Sequence, residues 1–153
     1  MSDFVYGTSS SERIATCHPR LQDLATLAIT MTLIDYTIVH GWRGMLIQNT
    51  LFESGASQKR WPDSMHNNEE EEADGVRMPC SLAIDFAPWI NGKIPWKDTH
   101  AFAVVAGVWF VAAKELGIVL RWGGDWDMDG LTTDQTLMDY GHVEINLNNG
   151  GSS

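Results

Sequence analysis

The residues best suited to chemistry lie near the C-terminal end, in the stretch MDYGHVEINL at positions 138–147. Apolar and polar side chains alternate along it as in a half-buried strand, so His142, Glu144 and Asn146 should share one face. Asp139 precedes His142 by three residues and is predicted to lie in the turn before the strand. A histidine on the polar face can reach into a cleft, and Asp139 would be close enough to act on whatever His142 binds. The opposite face carries the expected core anchors, Val143, Ile145 and Leu147.

Two further residues could join His142 as metal ligands. His66 lies in a segment without periodicity, whereas Asp85 lies in the alternating stretch SLAIDFAP and is flanked by alanines on the non-core face. Zinc in hydrolases usually takes three ligands from His, Asp and Glu and leaves one position for water. However, five histidines and 20 acidic residues allow many accidental triples. On spacing alone, a solvent-exposed His66 and a hydrogen-bonded sheet histidine at 142 remain open as simpler interpretations.

A second candidate cation site is the motif DxDxDG, formed by Asp125, Asp127, Asp129 and Gly130 and followed by Asp134. This motif opens EF-hand calcium loops, but the twelfth position, which normally supplies a bidentate glutamate, is Thr136. Two interpretations follow. The segment is either a calcium loop that orders the chain leading to Asp139, or a turn rich in Asp and Gly that binds no ion.

The elements that must position these residues alternate between helical and strand patterns. Hydrophobic spacing predicts helices over 19–31, 45–52 and 98–116, and strands over 33–39, 81–88, 118–122 and 138–147. Asp98 should cap the long helix and Gly117 should end it. The mixed order predicts an α+β fold with a small central antiparallel sheet, helices packed on one side and the functional cleft on the other face.

The length of 153 residues fits a single domain over 1–153. Within it we expect a loose N-terminal arm at 1–13, an acidic loop insertion at 67–80 and a disordered tail at 148–153.

Composition excludes several classes of function. Twenty acidic residues against ten Lys and Arg give a formal charge of -10, which disfavours nucleic acid binding. No stretch approaches the roughly 18 apolar residues of a membrane span, and the N-terminus lacks a signal-peptide pattern. We therefore expect no membrane insertion and synthesis in the cytoplasm. The cysteines, Cys17 and Cys80, are too few for a disulfide framework.

Several short motifs occur in the order found in one known family. They are GWR at 41–43 with Gln48, SMHN at 64–67, SLAID at 81–85, NGKIPW at 91–96, RWGGDW at 121–126 and DYGHVE at 139–144. Together they resemble the zinc peptidoglycan peptidases, which include D-alanyl-D-alanine carboxypeptidases and phage L-alanyl-D-glutamate endopeptidases. The resemblance runs from about residue 21 to 147 and is closest to the phage endolysin branch.

The resemblance implies a role for each matching residue. His66, Asp85 and His142 would be zinc ligands, Asp139 the catalytic carboxylate, and Arg43 the cation that faces the developing oxyanion. The residues expected to support this set or to line the substrate cleft are Gln48, Ser64, Ser81, Trp126 and Glu144.

The chain departs from the family pattern in two places. The acidic segment that includes Glu69–Glu72 separates His66 from Asp85, where the family has a short loop, and we expect this insertion to protrude. Gly141 stands where the endolysin branch tends to have proline, which predicts a looser turn beside Asp139.

The function implied is a zinc-dependent endolysin, a monomer that hydrolyses peptidoglycan stem peptides at the L-alanyl-D-glutamate bond. It would be made in the host cytoplasm and reach the cell wall after a separate protein permeabilises the membrane. The alternatives are a D-alanyl-D-alanine carboxypeptidase or dipeptidase on the same fold, and a non-catalytic, metal-stabilised wall-binding module. A lysozyme-like glycosidase with paired carboxylates is a further alternative.

Overall fold

This computed structural model describes residues 2–135 and 137–147, where the longer helices and the strands of the central sheet follow the hydrophobic periodicity of the sequence. The helices are α1 (Thr8–Ile14), α2 (Pro19–Ile29), α3 (Met45–Glu53) and α4 (Thr99–Glu115). The strands are β1 (Tyr36–His40), β2 (Glu69–Glu71), β3 (Arg77–Pro79), β4 (Ala83–Pro88), β5 (Leu120–Gly123) and β6 (Asp139–Ile145). A 3-10 turn at Met65–Asn67 precedes β2. The predicted α+β class is confirmed.

The ends of the two long helices agree with the capping residues read from the sequence. Proline occupies the first turn of α2, where its missing N–H costs no hydrogen bond. The side chain of Asp98 accepts a hydrogen bond of 3.1 Å from the backbone N–H of Ala101 at the start of α4. Gly117 follows α4 with a φ of +66°, the left-handed conformation that ends many helices.

The central sheet has the strand order β1-β4-β6-β5, and each neighbouring pair is antiparallel. Strands β4 and β6 are therefore central, and their register places Asp85 opposite His142. Because side chains alternate between the faces of a strand, paired residues project from the same face of the sheet. Strand pairing alone thus brings together two residues that lie 57 positions apart in sequence.

The opposite face of the same strands forms the hydrophobic core. Ile84 and Phe86 of β4 alternate with Asp85 and are fully or almost fully buried. Phe86 packs against Trp109 of α4, with ring centroids 6.2 Å apart and ring planes inclined by 11°. Helix α4 contacts β4, β5 and β6, and α2 packs on α4. The sheet thus separates an apolar, helix-covered side from the side that carries the polar residues.

Close contact between β6 and its neighbours requires glycine at two positions. A Cβ atom on Gly141 would lie 2.3 Å from the carbonyl oxygen of Phe86 in β4. A Cβ atom on Gly123 would lie 2.1 Å from the carbonyl oxygen of Asp139. The prediction of a loose turn at Gly141 is therefore wrong: Gly141 lies within β6, which begins at Asp139, and its missing side chain permits tight strand pairing.

The predicted loose arm at 1–13 is wrong for its second half, because Thr8–Ile14 forms α1. The buried Ser10 hydroxyl lies 3.0 Å from Thr37 Oγ1 and accepts a 3.0 Å hydrogen bond from the N–H of Ile38. Arg13 donates a 2.7 Å hydrogen bond to the carbonyl of Ile38. These polar contacts with β1 hold the segment, and hydrophobic periodicity cannot reveal them.

The acidic insertion at 67–80 is not an irregular loop, since β2 and β3 pair within it as an antiparallel hairpin. At the other end of the chain, Leu147 is 39% exposed and is not the core anchor that strand alternation predicted, because β6 ends at Ile145. The predicted tail at 148–153 and Thr136 lie outside the described residues. Among the helices described, none combines the length and apolar content that crossing a membrane requires.

We predict that Gly141→Ala destabilises the protein by about 2 to 3 kcal/mol, because the added methyl group would collide with backbone that cannot move independently of the sheet. Gly107→Ala in α4 is the matched control, since no atom lies within 4 Å of its Cβ position and alanine favours helices. Chemical denaturation measures both changes. Equal stability of the Gly141→Ala variant and the wild type would contradict the close approach of β4 and β6.

Candidate metal centre and active site

Three potential metal ligands from different parts of the chain meet on the polar side of the sheet. His66 Nε2 lies 3.2 Å from Asp85 Oδ1 and 3.3 Å from His142 Nδ1, and the latter two atoms lie 3.1 Å apart. Ligand atoms on one tetrahedral zinc ion are separated by about 3.3 Å, since each bond is about 2 Å long. The three sequence-predicted ligands are therefore brought together at spacings that suit one small cation.

The third ligand, His66, is placed by the 3-10 turn. The Ser64 hydroxyl accepts a 3.2 Å hydrogen bond from the His66 N–H, and Asn67 Oδ1 accepts one of 3.0 Å from the Ser64 N–H. This reciprocal capping box fixes the turn. The His66 carbonyl also accepts a hydrogen bond from the backbone N–H of Arg43. Ser64 thus explains the Ser-x-His spacing, because it orients the residue two positions later.

The hydrogen bonds around both histidines orient their ring nitrogens toward the centre. His66 Nδ1 lies 2.8 Å from the Gly41 carbonyl oxygen, and His142 Nε2 lies 2.8 Å from Glu144 Oε1. Both oxygens are acceptors, so the facing ring nitrogen carries the proton in each case. The remaining nitrogens, His66 Nε2 and His142 Nδ1, are then the atoms available for a metal, as in many sites where a second hydrogen bond fixes the tautomer.

The charges at the centre favour a bound cation. Burial raises the pKa of Asp85, but the charge of His66 and hydrogen bonds from neighbouring histidines outweigh it and hold this pKa well below its usual range. Burial alone would lower the pKa of His142, yet hydrogen bonds to Asp85 and Glu144 raise it to about 9. Burial lowers the pKa of His66 despite the nearby Asp85. Without a metal, a proton held between His142 and Asp85 balances the carboxylate, and metal binding would release it.

The other oxygen of Asp85 contacts two residues, one at the C-terminal end of β1 and one in the loop after it. Arg43 Nη2 forms a short ion pair with Asp85 Oδ2, and His40 Nδ1 lies 3.3 Å from the same oxygen. His40, the last residue of β1, is not among the ligands or supporting residues predicted from the sequence. It pairs with Asp85 in the register between β1 and β4, so a predicted antiparallel pairing of these strands is what could have revealed it.

Two of the ligands, His66 and His142, line a cavity of about 530 Å³, whose walls also include Arg43, Asp139, Arg121 and Trp126. Asp85 lines a smaller cavity that shares Arg43 and Asp139 with the first. Burial of its carboxyl group and then the charge of Asp85 raise the pKa of Asp139, although His142 and Arg43 oppose this change. A carboxylate with a raised pKa beside candidate ligands is suited to accept and return a proton. Asp139 and His142 line the same cavity, although Asp139 begins β6 instead of lying in the turn before the strand as predicted.

Glu144 and Trp126 support His142 from the cavity side. Glu144 accepts hydrogen bonds of 2.8 Å from His142 Nε2 and 2.7 Å from Arg121 Nη2. Burial would raise the pKa of Glu144, but its hydrogen bonds and the charges of its partners lower it. The Trp126 ring centroid lies 5.2 Å from that of His142, so the indole packs over the ligand. The imidazole of His142 is consequently held in one orientation.

Gln48 and Ser81 support the site without lining its cavities. The buried Gln48 amide accepts hydrogen bonds of 3.3 Å from Arg43 Nη1 and 3.2 Å from Asn67 Nδ2. The buried Ser81 hydroxyl donates a 2.7 Å hydrogen bond to the Ala83 carbonyl at the start of β4. Gln48 therefore connects Arg43 to the turn that carries His66, whereas Ser81 shapes the entry to the strand that carries Asp85.

The loop that contains the DxDxDG motif brings its first three aspartates together. Ligand oxygens of Asp125, Asp127 and Asp129 lie within 4.8 Å of one another, whereas Asp134 is not part of this group. Asp125 Oδ2 accepts a 2.8 Å hydrogen bond from the N–H of Gly130. The N–H of Leu131 lowers the pKa of Asp129, but desolvation and the neighbouring carboxylates raise it overall. Three carboxylates therefore crowd together at the surface.

Cys80 lies away from the three-ligand centre, in a separate group with His18 and Glu70. His18 caps α2, and its Nδ1 atom accepts a 3.1 Å hydrogen bond from the N–H of Arg20. Cys17 and Cys80 are both free thiols. Cys80 is consequently not a ligand in the cavity.

We predict that His66→Ala lowers zinc affinity by more than about 100-fold, exceeding the effect typical of changes to residues that only support ligands. His100→Ala is the matched control, because His100 is exposed in the first turn of α4. Competition with a chromophoric chelator measures both affinities. A His66→Ala protein that keeps the wild-type zinc affinity would show that the three atoms do not form the site.

Comparisons with known proteins agree with this geometry. Residues 1–146 match the family model described as phage L-alanyl-D-glutamate peptidase. The chain is 37% identical over 145 residues to the L-alanyl-D-glutamate peptidase of Escherichia phage T5, covering 93% of this chain and 98% of that protein. The crystal structure of the Serratia marcescens L-Ala D-Glu endopeptidase ChiX superposes with a TM-score of 0.72 at 25% identity, covering 95% and 93% of the two chains. The chain therefore belongs to the phage L-alanyl-D-glutamate peptidase family.

Proposed function

We propose that this protein is a zinc-dependent endopeptidase that hydrolyses the L-alanyl-D-glutamate bond in the stem peptides of bacterial peptidoglycan. The observation that carries the proposal is the position of Asp139 and Arg43, which line both cavities around the converging ligand atoms of His66, Asp85 and His142. The names of the phage T5 and Serratia relatives support this choice of bond. We further propose that the enzyme degrades the host cell wall during phage lysis.

His66, Asp85 and His142 would hold the metal, and two histidines with one carboxylate suit zinc. Zinc bound in such a site lowers the pKa of water and polarises a carbonyl group. Asp139 accepts a proton from the attacking water and delivers it to the departing amine, a contribution of about 10² to 10⁴ in rate. Arg43 places positive charge beside the carbonyl oxygen as it becomes negative, which typically contributes a few kcal/mol.

The hydrogen-bonded series from Arg121 through Glu144 to His142 has a positioning role in this mechanism. Arg121 lies over the Trp126 ring, with the guanidinium carbon 5.4 Å from the ring centroid. The pair forms one wall of the cavity, and Glu144 joins that wall to the imidazole of His142. Movement of the wall would therefore change the orientation of a metal ligand, and a fixed wall keeps the ligand in place.

Two connected cavities favour an endopeptidase over a carboxypeptidase. The second cavity, of about 280 Å³, shares Arg43, Ala56, Met138 and Asp139 with the first. Apart from Asp85 and His40, its remaining walls are apolar or aromatic and include Phe86, Trp96, Phe102 and Tyr140. A cleft that continues on both sides of the proposed catalytic residues can accept a chain that extends in both directions from the scissile bond. A carboxypeptidase needs space on one side only for a terminal residue.

Mass spectrometry of digested peptidoglycan tests the proposed reaction. Cleavage at the proposed bond exposes the amino group of glutamate and the carboxyl group of alanine, and a zinc chelator should prevent it. Release of free D-alanine would instead identify a D-alanyl-D-alanine carboxypeptidase. Chelator-insensitive reducing ends would identify a glycosidase, and binding without any product would identify a wall-binding module.

We predict that Asp139→Asn lowers kcat by about 10² to 10⁴ while zinc content stays unchanged, because the amide keeps the shape of the side chain but cannot accept the proton. Asp63→Asn is the control, since Asp63 is exposed and lies outside both cavities. Activity on purified sacculi and metal analysis are measured together. Full activity of Asp139→Asn would exclude this residue as the proton carrier.

We also propose that Asp125, Asp127 and Asp129 bind calcium, which would order the segment before Asp139. Calcium at 100 times its Kd would stabilise the zinc-loaded protein by about 2.7 kcal/mol. We predict that Asp127→Asn removes most of this stabilisation and that Asp63→Asn keeps it. Thermal unfolding and lysis rates with and without calcium provide the measurement. If calcium changes neither quantity in the wild type, the DxDxDG segment is a turn that binds no ion.

A further inference from the structure

Lys59 differs from the other cationic residues of the larger cavity. The arginine and lysine residues that line this cavity are Arg43, Lys59 and Arg121. The guanidinium of Arg43 is ion-paired with Asp85, and that of Arg121 lies 2.7 Å from Glu144 Oε2. No carboxylate of the described chain lies within ion-pair distance of the Lys59 amine, and Lys59 is exposed. Lys59 therefore has a positive charge available for a ligand.

The backbone of Lys59 is held firmly by the same residue that supports the catalytic centre. Gln48 Nε2 donates hydrogen bonds of 2.6 Å to the Lys59 carbonyl and 2.9 Å to the Ser57 hydroxyl. The Ser57 hydroxyl also accepts a 3.2 Å hydrogen bond from the Lys59 N–H. Gln48 Oε1 accepts hydrogen bonds from Arg43 and Asn67. The side chain of Gln48 therefore connects the cavity wall at 55–59 to the turn that carries His66. Lys59 thus projects from a defined place.

The proposed substrate presents a negative charge next to the bond that is cut. A glutamyl residue has two carboxyl groups, and only one can continue the stem peptide, so the other is a free carboxylate unless it is amidated. The protein has a formal charge of -10, and Asp139 and Glu144 line the same cavity. These carboxylates would repel an anionic substrate group, and a cation placed away from the metal ligands would offset that repulsion where the group binds.

We propose that Lys59 binds the free carboxylate of the glutamyl residue and thereby makes the enzyme prefer stem peptides in which this carboxyl is not amidated. The inference rests on the proposed function. It assigns the glutamyl side of the substrate to the larger cavity, which contains Lys59. The alanyl side then lies toward the smaller, mainly apolar cavity. A lysine ammonium suits this task because it acts as a compact point charge with freely rotating donors.

The test compares two synthetic stem peptides that differ only in whether the glutamyl carboxyl is free or amidated. Wild-type zinc enzyme should cleave the free-carboxylate peptide with a kcat/KM about tenfold higher, the lower end of what a charge-assisted hydrogen bond contributes. Lys59→Gln should bring this ratio close to one by raising KM for the free-carboxylate peptide, with little change in kcat. The wild-type preference should also decrease as salt concentration rises.

Two further variants separate this role from general effects on the cavity wall. Lys59→Arg keeps the charge and should retain most of the preference. Arg60→Gln changes the neighbouring cation, which pairs with Glu53 and does not line the cavity, and should leave the ratio unchanged. A Lys59→Gln variant that loses activity equally on both peptides, or keeps the wild-type ratio, would overturn the proposal. If the wild type cleaved neither peptide, the proposed function itself would fail.

Discussion

The site depends on the carboxylate of Asp85, which is only 14% exposed and interacts with four basic side chains. One oxygen faces His66 and His142 at 3.2 and 3.1 Å, and the other contacts Arg43 and His40. A carboxylate removed from water is costly unless it is paired and hydrogen-bonded. The partners come from the 3-10 turn, from β6, and from the end of β1 with the loop after it, so the charge of Asp85 makes these segments converge. The same arrangement leaves one oxygen and two imidazole nitrogens facing a common point.

Residues that hold the segments of the site together determine how rigid this arrangement is. The side chain of Gln48 forms hydrogen bonds with Arg43, Asn67 and the carbonyl of Lys59. These bonds connect three segments that do not pair with the central sheet. Gly141 lets β6 pair tightly with β4, so that His142 stays in register with Asp85. A ligand set or a proton carrier displaced by about an ångström loses much of its effect. The supporting residues are therefore as necessary to the chemistry as the residues that line the cavity.

Much of the fold could be predicted because it depends on local patterns. Alternation in β4 and β6 predicted which face of each strand is apolar, and Asp98 and Gly117 predicted the ends of α4. Two of the predictions that were wrong concern segments whose structure is maintained by polar contacts at a distance or within a short hairpin. Helix α1 is held by Ser10 and Arg13 on β1, and the acidic insertion pairs with itself. Neither interaction leaves a hydrophobic period in the sequence.

By itself, the sequence determined which residues are chemically able to form the site, since residue type decides what can bind a metal or carry a proton. The family motifs were the chief reason to predict a site made of His66, Asp85, His142, Asp139 and Arg43. Only the tertiary structure decided which residues these side chains contact. It set the register that pairs Asp85 with His142, and it brought His40 to Asp85. It also placed Lys59 in the cavity wall, without a carboxylate partner within the described chain. The reason is physical. Strand register and the pairing of opposite charges depend on distances between segments that are remote in sequence, and residue spacing along the chain does not determine those distances.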